Sequence, residues 1–229
     1  MRTRTYLFLA SLPLFRYTER MQKFPDIHRK EFGIFKRLAS PAKIQDFLDV
    51  LPINFEEQGD TCRSPLAALR ENKAHCIEGA MVAAAAFWYH DNKPLLLDLK
   101  TTRDDSDHVV ALFKEDGHWG AVSKTNHAVL RYRDPIYRTV RELALSYFNE
   151  YFLDNGKKTL RSFSAPFSLL AFDDEWLTSD QNLWGIPEGI DAAPHFEIIK
   201  KDAIKHLRPA HPIEIQAGKL VEWKKNSLD

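Results

Sequence analysis

The sequence predicts an α+β protein in which a helical N-terminal part packs on an antiparallel sheet and a β-rich extension follows. Three observations predict it. Apolar residues recur at helical spacing through residues 31–51 and 64–89. Short apolar runs then flank Asp116-Gly117, a strong hairpin signal. Beyond Lys157, strand-like segments alternate with loops bearing Pro187, Pro194, Pro209 and Pro212. A chain of 229 residues suits one large domain or a domain with an extension, and its 15 Phe, 7 Tyr and 5 Trp are ample for a core.

The elements follow in order. Residues 1–30 form an N-terminal segment, and a core spans 31–156. From Glu31 to Leu51 the pattern is helical, with Ser40 as a helix N-cap, Pro41 at the first helical position, and Ile44, Phe47, Leu48 and Leu51 on one face. A polar turn surrounds Gly59. A second helix starts at Ser64-Pro65 and ends at Asn72-Lys73. A third starts at Cys76 and runs through an alanine-rich stretch to Phe87-Trp88-Tyr89, where small side chains let other elements approach its backbone. Leu95–Leu99, His108–Phe113 and Trp119–Ser123 read as strands. Tyr137–Phe152 returns to helix, with Val140, Leu143, Ala144, Tyr147, Phe148 and Tyr151 as its apolar stripe and Asn155-Gly156 as its stop. The extension, 157–229, holds strand-like Phe163–Phe172, Phe196–Ile199 and Ile213–Trp223, packed on the core.

Composition narrows the function. Lys and Arg number 32, Asp and Glu also 32, so no basic excess marks a nucleic-acid or membrane-surface binder. The acidic run Asp104–Asp107 lacks the glycine and distal glutamate of a calcium loop, and the nine histidines form no His-Glu-x-x-His or paired-cysteine set. No glycine-rich phosphate loop is present. Neither a metal nor a cofactor is expected. Arg2, Arg4 and the apolar run from Tyr6 to Phe15 faintly resemble a secretory leader, but Pro13 interrupts the run and no small-x-small site precedes Arg16. The native start is either Met1 or Met21. A cytoplasmic location is expected, with Cys62 and Cys76 both free thiols.

Cys76 carries the chemistry. At a helix start, unpaired N–H groups and the positive end of the helix dipole stabilise a thiolate. His108, opening a strand, would complete a Cys–His nucleophile pair. His75 either perturbs the neighbouring thiol or caps the turn, and capping is the simpler reading. With Asp116-Gly117 as the central turn residues, His108 falls opposite Thr125, and Ser123 and His127 lie diagonally nearby. A one-residue bulge would place Asn126 opposite His108.

The order of helix-borne Cys, strand-borne His and a third polar residue on the adjoining strand resembles the transglutaminase-like superfamily of cysteine enzymes. The likeness spans roughly Ser40 to Tyr137, from Leu66-Ala67-Ala68-Leu69 through the Cys76 helix to the hairpin ending Trp119-Gly120-Ala121-Val122. It implies a papain-related α+β core, Cys76 as nucleophile and His108 as general base. That family usually places an aspartate soon after the hairpin tryptophan, where this chain has Ser123, and a glycine two positions before the nucleophile, where it has Ala74. Asn126 is the favoured third member, on the precedent of Cys-His-Asn sites, with Ser123 and Asp134 behind it.

The resemblance therefore implies an acyl-transfer enzyme acting on a peptide, amide or thioester substrate through a Cys76 acyl-enzyme, with hydrolysis the expected outcome. The alternative is a catalytically inactive relative serving as a binding or interaction module, favoured by the missing carboxylate. Phe172, Trp176, Trp184 and Trp223 would then line a partner surface or fill the extension's own core.

Overall fold

A computed structural model describes residues 23–224. The segment holding the apolar run Tyr6–Phe15 lies outside the described residues. A 3-10 turn, Gly33–Arg37, stands where the helix expected from Glu31 would begin, preceded by another at Asp26–His28. The first α-helix, α1 (Pro41–Val50), starts where the sequence placed it: Ser40 Oγ accepts from the Lys43 amide at 3.4 Å, and Pro41 follows. Next comes α2 (Pro65–Glu71), capped by Ser64 and stopped by Asn72 in the left-handed region (φ 52°). The third helix, α3 (Cys76–Tyr89), is buried from Ile77 to its end.

Four strands follow in the core: β1 (Leu95–Lys100), β2 (His108–Glu115), β3 (His118–Val122) and β4 (Arg133–Tyr137). Asp116 (φ 46°) and Gly117 (φ 81°) turn β2 into β3, both with the positive φ that a two-residue hairpin requires. β4 was not foreseen, because Pro135 argues against a strand. It is tolerated because β4 lies at the sheet edge. The expected helix Tyr137–Phe152 is shorter. Thr139 caps α4 (Val140–Ser146), and a 3-10 turn, Phe148–Glu150, delivers Tyr151 in extended conformation.

After residue 157 the chain adds β5 (Ser162–Ser164), β6 (Phe167–Ser168), α5 (Gly185–Ala192), β7 (His195–Glu197) and α6 (Pro212–Gly218). This part is not β-rich. Its strands are short, and Ile213–Trp223, expected as a strand, begins as a helix. The alternation Ile213-Glu214-Ile215 imitates a strand, but Pro212 sits at the first helical position and Glu214 Oε2 accepts from the His211 amide at 2.6 Å. Nor do its strands form a layer of their own. They complete one antiparallel sheet of seven strands, ordered β4-β3-β2-β1-β5-β7 with β6 also beside β1.

The sheet separates two cores. On one face α3 packs with Leu96, Val109, Ala111, Phe113 and Val122; on the other, α4 packs with Leu97, Leu99, Val110, Leu112 and Ala121. The C-terminal end of α3 is fixed by aromatic contacts: Phe24 packs edge-on to Trp88 and Tyr89, and Trp176 stacks on Trp88 at 6.1 Å. Anchored there, α3 presents its first turn, with Cys76, to a cleft at the sheet's end. No helix among the described residues is long and apolar enough to cross a membrane.

Candidate active site

The approach to Cys76 is pinned on both sides. Ala74 bridges in parallel to Ile53, its amide donating to Pro52 O at 3.1 Å and its carbonyl accepting from Asn54 N at 3.0 Å. Glu78, third in α3 and with no solvent exposure, reaches back to accept from the His75 amide at 3.1 Å. Its carboxylate also accepts from Thr61 Oγ1 (2.9 Å), Arg63 N (3.1 Å) and Asn54 Nδ2 (3.1 Å). Burial opposes its charge, yet His75 and these donors hold its pKa below the ordinary value. The first intrahelical bond of α3 runs from Gly79 N to His75 O, so the amides of Cys76 and Ile77 precede the ladder.

Cys76 is partly exposed and free, whereas Cys62 is buried, free and pushed up to about 12, mainly by burial. The Cys76 thiol lies between two imidazoles. His75 Nδ1 is 3.9 Å from Sγ, and His108 stands close enough to act on the thiol. Burial works against the thiolate, but His108 and His75 together outweigh it and bring the pKa down to about 5. His75 Nε2 donates to Thr61 O at 2.9 Å. Burial disfavours its cation, yet Cys76, Glu78 and Glu56 overcome that and raise it to about 9. His75 is thus the N-cap of α3, as the sequence favoured, and also places a positive charge beside the sulfur.

The β2–β3 register sets which side chain faces His108. It runs without a bulge from Glu115↔His118 to Ala111↔Val122, which places His108 level with Thr125 and makes Ser123 its diagonal neighbour. Ser123 Oγ lies 2.8 Å from His108 Nε2 and donates its one proton to Leu130 O at 2.6 Å. The hydroxyl must then accept from His108, so Nε2 carries a hydrogen and Nδ1 is the nitrogen left for Cys76. Asn126, the favoured third member, pairs elsewhere. Without the bulge its side chain turns to the C-terminal segment, donating to Trp223 O (2.9 Å) and accepting from Trp223 N (2.8 Å). Asp134 is exposed on β4 and does not line the cleft.

Several residues that the sequence did not single out hold this arrangement. Gln45 of α1 clamps the Ser123 backbone, donating from Nε2 to its carbonyl (2.8 Å) and accepting from its amide (2.9 Å). Leu130 adopts φ 62°, strained for a branched side chain, and Glu150 holds it there by accepting from its amide at 2.7 Å. Lys124 is buried, its Nζ donating to Leu48 O (2.8 Å) and Leu51 O at the end of α1, and burial lowers its pKa to about 8. None of these left a readable sign in the sequence; Glu78, three places after His75, did so through the helix-capping spacing.

The cleft encloses about 410 Å³ and is lined by Cys76, His108, Thr125, Asn126 and Tyr151 among others, with Ile215 and Gly218 of α6 at one wall. Asp98, Asp107 and Asp191 approach one another nearby, with Lys100 Nζ among them, 2.5 Å from Asp191 and 3.3 Å from Asp107, offsetting part of their charge. The chain matches no family model, and comparison with curated proteins finds no relative.

Proposed function

We propose that the protein is a cysteine-dependent acyl-transfer enzyme of the transglutaminase-like type, acting on an amide, peptide or thioester bond. The observation that carries this reading is the Cys76–His108–Ser123 chain, in which a hydrogen-bonded hydroxyl commits Nε2 and leaves Nδ1 to the thiol. The helix-borne cysteine, followed by a histidine on an antiparallel strand and a polar residue on the next, supports a papain-related core.

The steps follow from these atoms. With the Cys76 proton already held on His108 Nδ1, the thiolate Sγ attacks the acyl carbon while the carbonyl π pair moves to oxygen. Collapse breaks the bond to the leaving amine or thiol, which takes the proton from Nδ1, and a thioester remains. Water then gives a proton to Nδ1 as it attacks, Cys76 departs as thiolate, and the acid product forms. Throughout, Ser123 keeps the ring in one orientation, and the His75 cation favours the thiolate at the beginning and end of each turnover.

The test is the pH dependence of Cys76 alkylation by iodoacetamide. Reaction is expected to rise around pH 5 in the parent protein and to move toward the ordinary thiol range near ~8.5 in His108→Ala, with Cys62→Ser unchanged. An ordinary thiol profile insensitive to His108 would remove the proposal. The rival reading, a binding module without turnover, draws on Ser123, a neutral group where a carboxylate would stabilise the imidazolium. It requires Cys76→Ala to keep the protein's binding function intact.

A further inference from the structure

Tyr151 presents a buried hydroxyl with no use in the fold. The side chain is 3 % exposed and its Oη finds no hydrogen-bond partner among the described residues, although its backbone carbonyl is satisfied by Thr159 N at 3.1 Å. A phenol inside a protein normally finds an acceptor, because leaving it without one costs about 1–3 kcal/mol. This one lines the same cleft as Cys76 and His108. It is delivered there by the 3-10 turn after α4, whose Glu150 also fixes Leu130 and, through it, Ser123. Burial, and after it the charges of Cys76, Asp105, Asp98 and Asp107, keep the phenol protonated well past its ordinary range, so it is a donor at every physiological pH.

We propose that Tyr151 is a catalytic residue, its hydroxyl donating a hydrogen bond to the acyl oxygen of the substrate as the Cys76 tetrahedral intermediate forms. This rests on the acyl-transfer reading above. When Sγ bonds to the acyl carbon, the carbonyl π pair becomes a lone pair on oxygen. Tyr151 meets that charge with a hydrogen bond and keeps its proton, and the same bond relaxes when the carbonyl re-forms. The Cys76 amide, ahead of the α3 ladder, supplies a second donor on the nucleophile's own residue. The acidic side chains that act on the phenol are the wrong sign for this task, and His75 and His108 serve the sulfur.

Two reagents separate this role from any effect on the thiol. p-Nitrophenyl acetate acylates a cysteine through a tetrahedral oxyanion, whereas iodoacetamide alkylates it by displacement with no oxyanion. Tyr151→Phe is expected to slow the p-nitrophenolate burst by about 10–100-fold. Its iodoacetamide rate and pH profile should stay as in the parent, and its urea midpoint should not fall, because no hydrogen bond of the fold is lost. Equal bursts in parent and variant, with low-pH alkylation retained, would overturn the Tyr151 role alone. Equal slowing with both reagents would also overturn it, since Tyr151 would then act on the thiol. An ordinary thiol profile in the parent would remove the acyl-transfer reading itself.

Discussion

Ser123 shows how a single hydroxyl sets a tautomer. It has one proton, Leu130 O takes it at 2.6 Å, and His108 Nε2 must therefore be the donor in the 2.8 Å contact. Ser123→Ala deletes this acceptor and frees the ring to adopt either tautomer. The expected result is a loss of about 10-fold or more in the acylation rate with p-nitrophenyl acetate, the ring being misoriented for part of the time. His75 remains as a cation beside Cys76, so the variant should still alkylate well below pH 8.5. A fall in acylation without a return to an ordinary thiol profile identifies orientation as the function of Ser123. An unchanged acylation rate would show that Ser123 is a packing residue. The sequence brought Cys76, His108 and Ser123 into view because helix capping, strand pattern and a hairpin turn are local. It favoured Asn126 because nothing local reveals that the C-terminal segment, nearly a hundred positions away, takes that side chain.

At the level of the helices, α3 is where local pattern and tertiary packing agree most closely. Its small side chains were readable, but not their purpose at each position. Gly79 is explained by Lys124: a Cβ placed on Gly79 would lie 2.4 Å from Lys124 Cβ and 2.9 Å from its Cγ. The lysine stem cannot swing away, since Nζ is held by the last carbonyls of α1. Alanine's better helix propensity offers about 1 kcal/mol, while overpacking at a closed site costs roughly 1–3 kcal/mol, more where backbone must move. Gly79→Ala is therefore expected to lower stability by about 1–2 kcal/mol, read as a lower urea midpoint at unchanged slope. A variant as stable as the parent would mean that Lys124 does not pass over α3 as described. The elements that escaped the sequence were those ruled by long-range contacts. β4 carries a proline that only an edge position accommodates, and α6 carries an alternating pattern that its capping residues override.

The division of the chain into a core and an appended extension does not match how the sheet is built. β1 is central, and Leu96, Leu97 and Leu99 on it are fully buried. One of its edges pairs with β2; the other pairs with β5 through Leu99↔Phe163 and with β6 through Leu96↔Phe167. Residues after 157 also close both cores, with Leu169, Trp176, Leu177, Ile186 and Ile190 on the α3 face and Leu160 and Phe163 on the other. At about 1.5–3 kcal/mol for each large side chain buried, their loss amounts to on the order of 10 kcal/mol or more, comparable to the whole stability of an ordinary domain. Removing them would also bare a leucine-rich edge strand, which is a site for aggregation. A fragment ending at Gly156 is therefore expected to lack a cooperative urea transition by circular dichroism and to elute as aggregate, while the full chain unfolds in one step. Should the fragment unfold cooperatively and keep low-pH Cys76 alkylation, residues 31–156 would be an autonomous catalytic unit and the later strands an accessory. The register of β1 argues against that outcome, because the strand leading toward His108 is completed only by chain that comes after it.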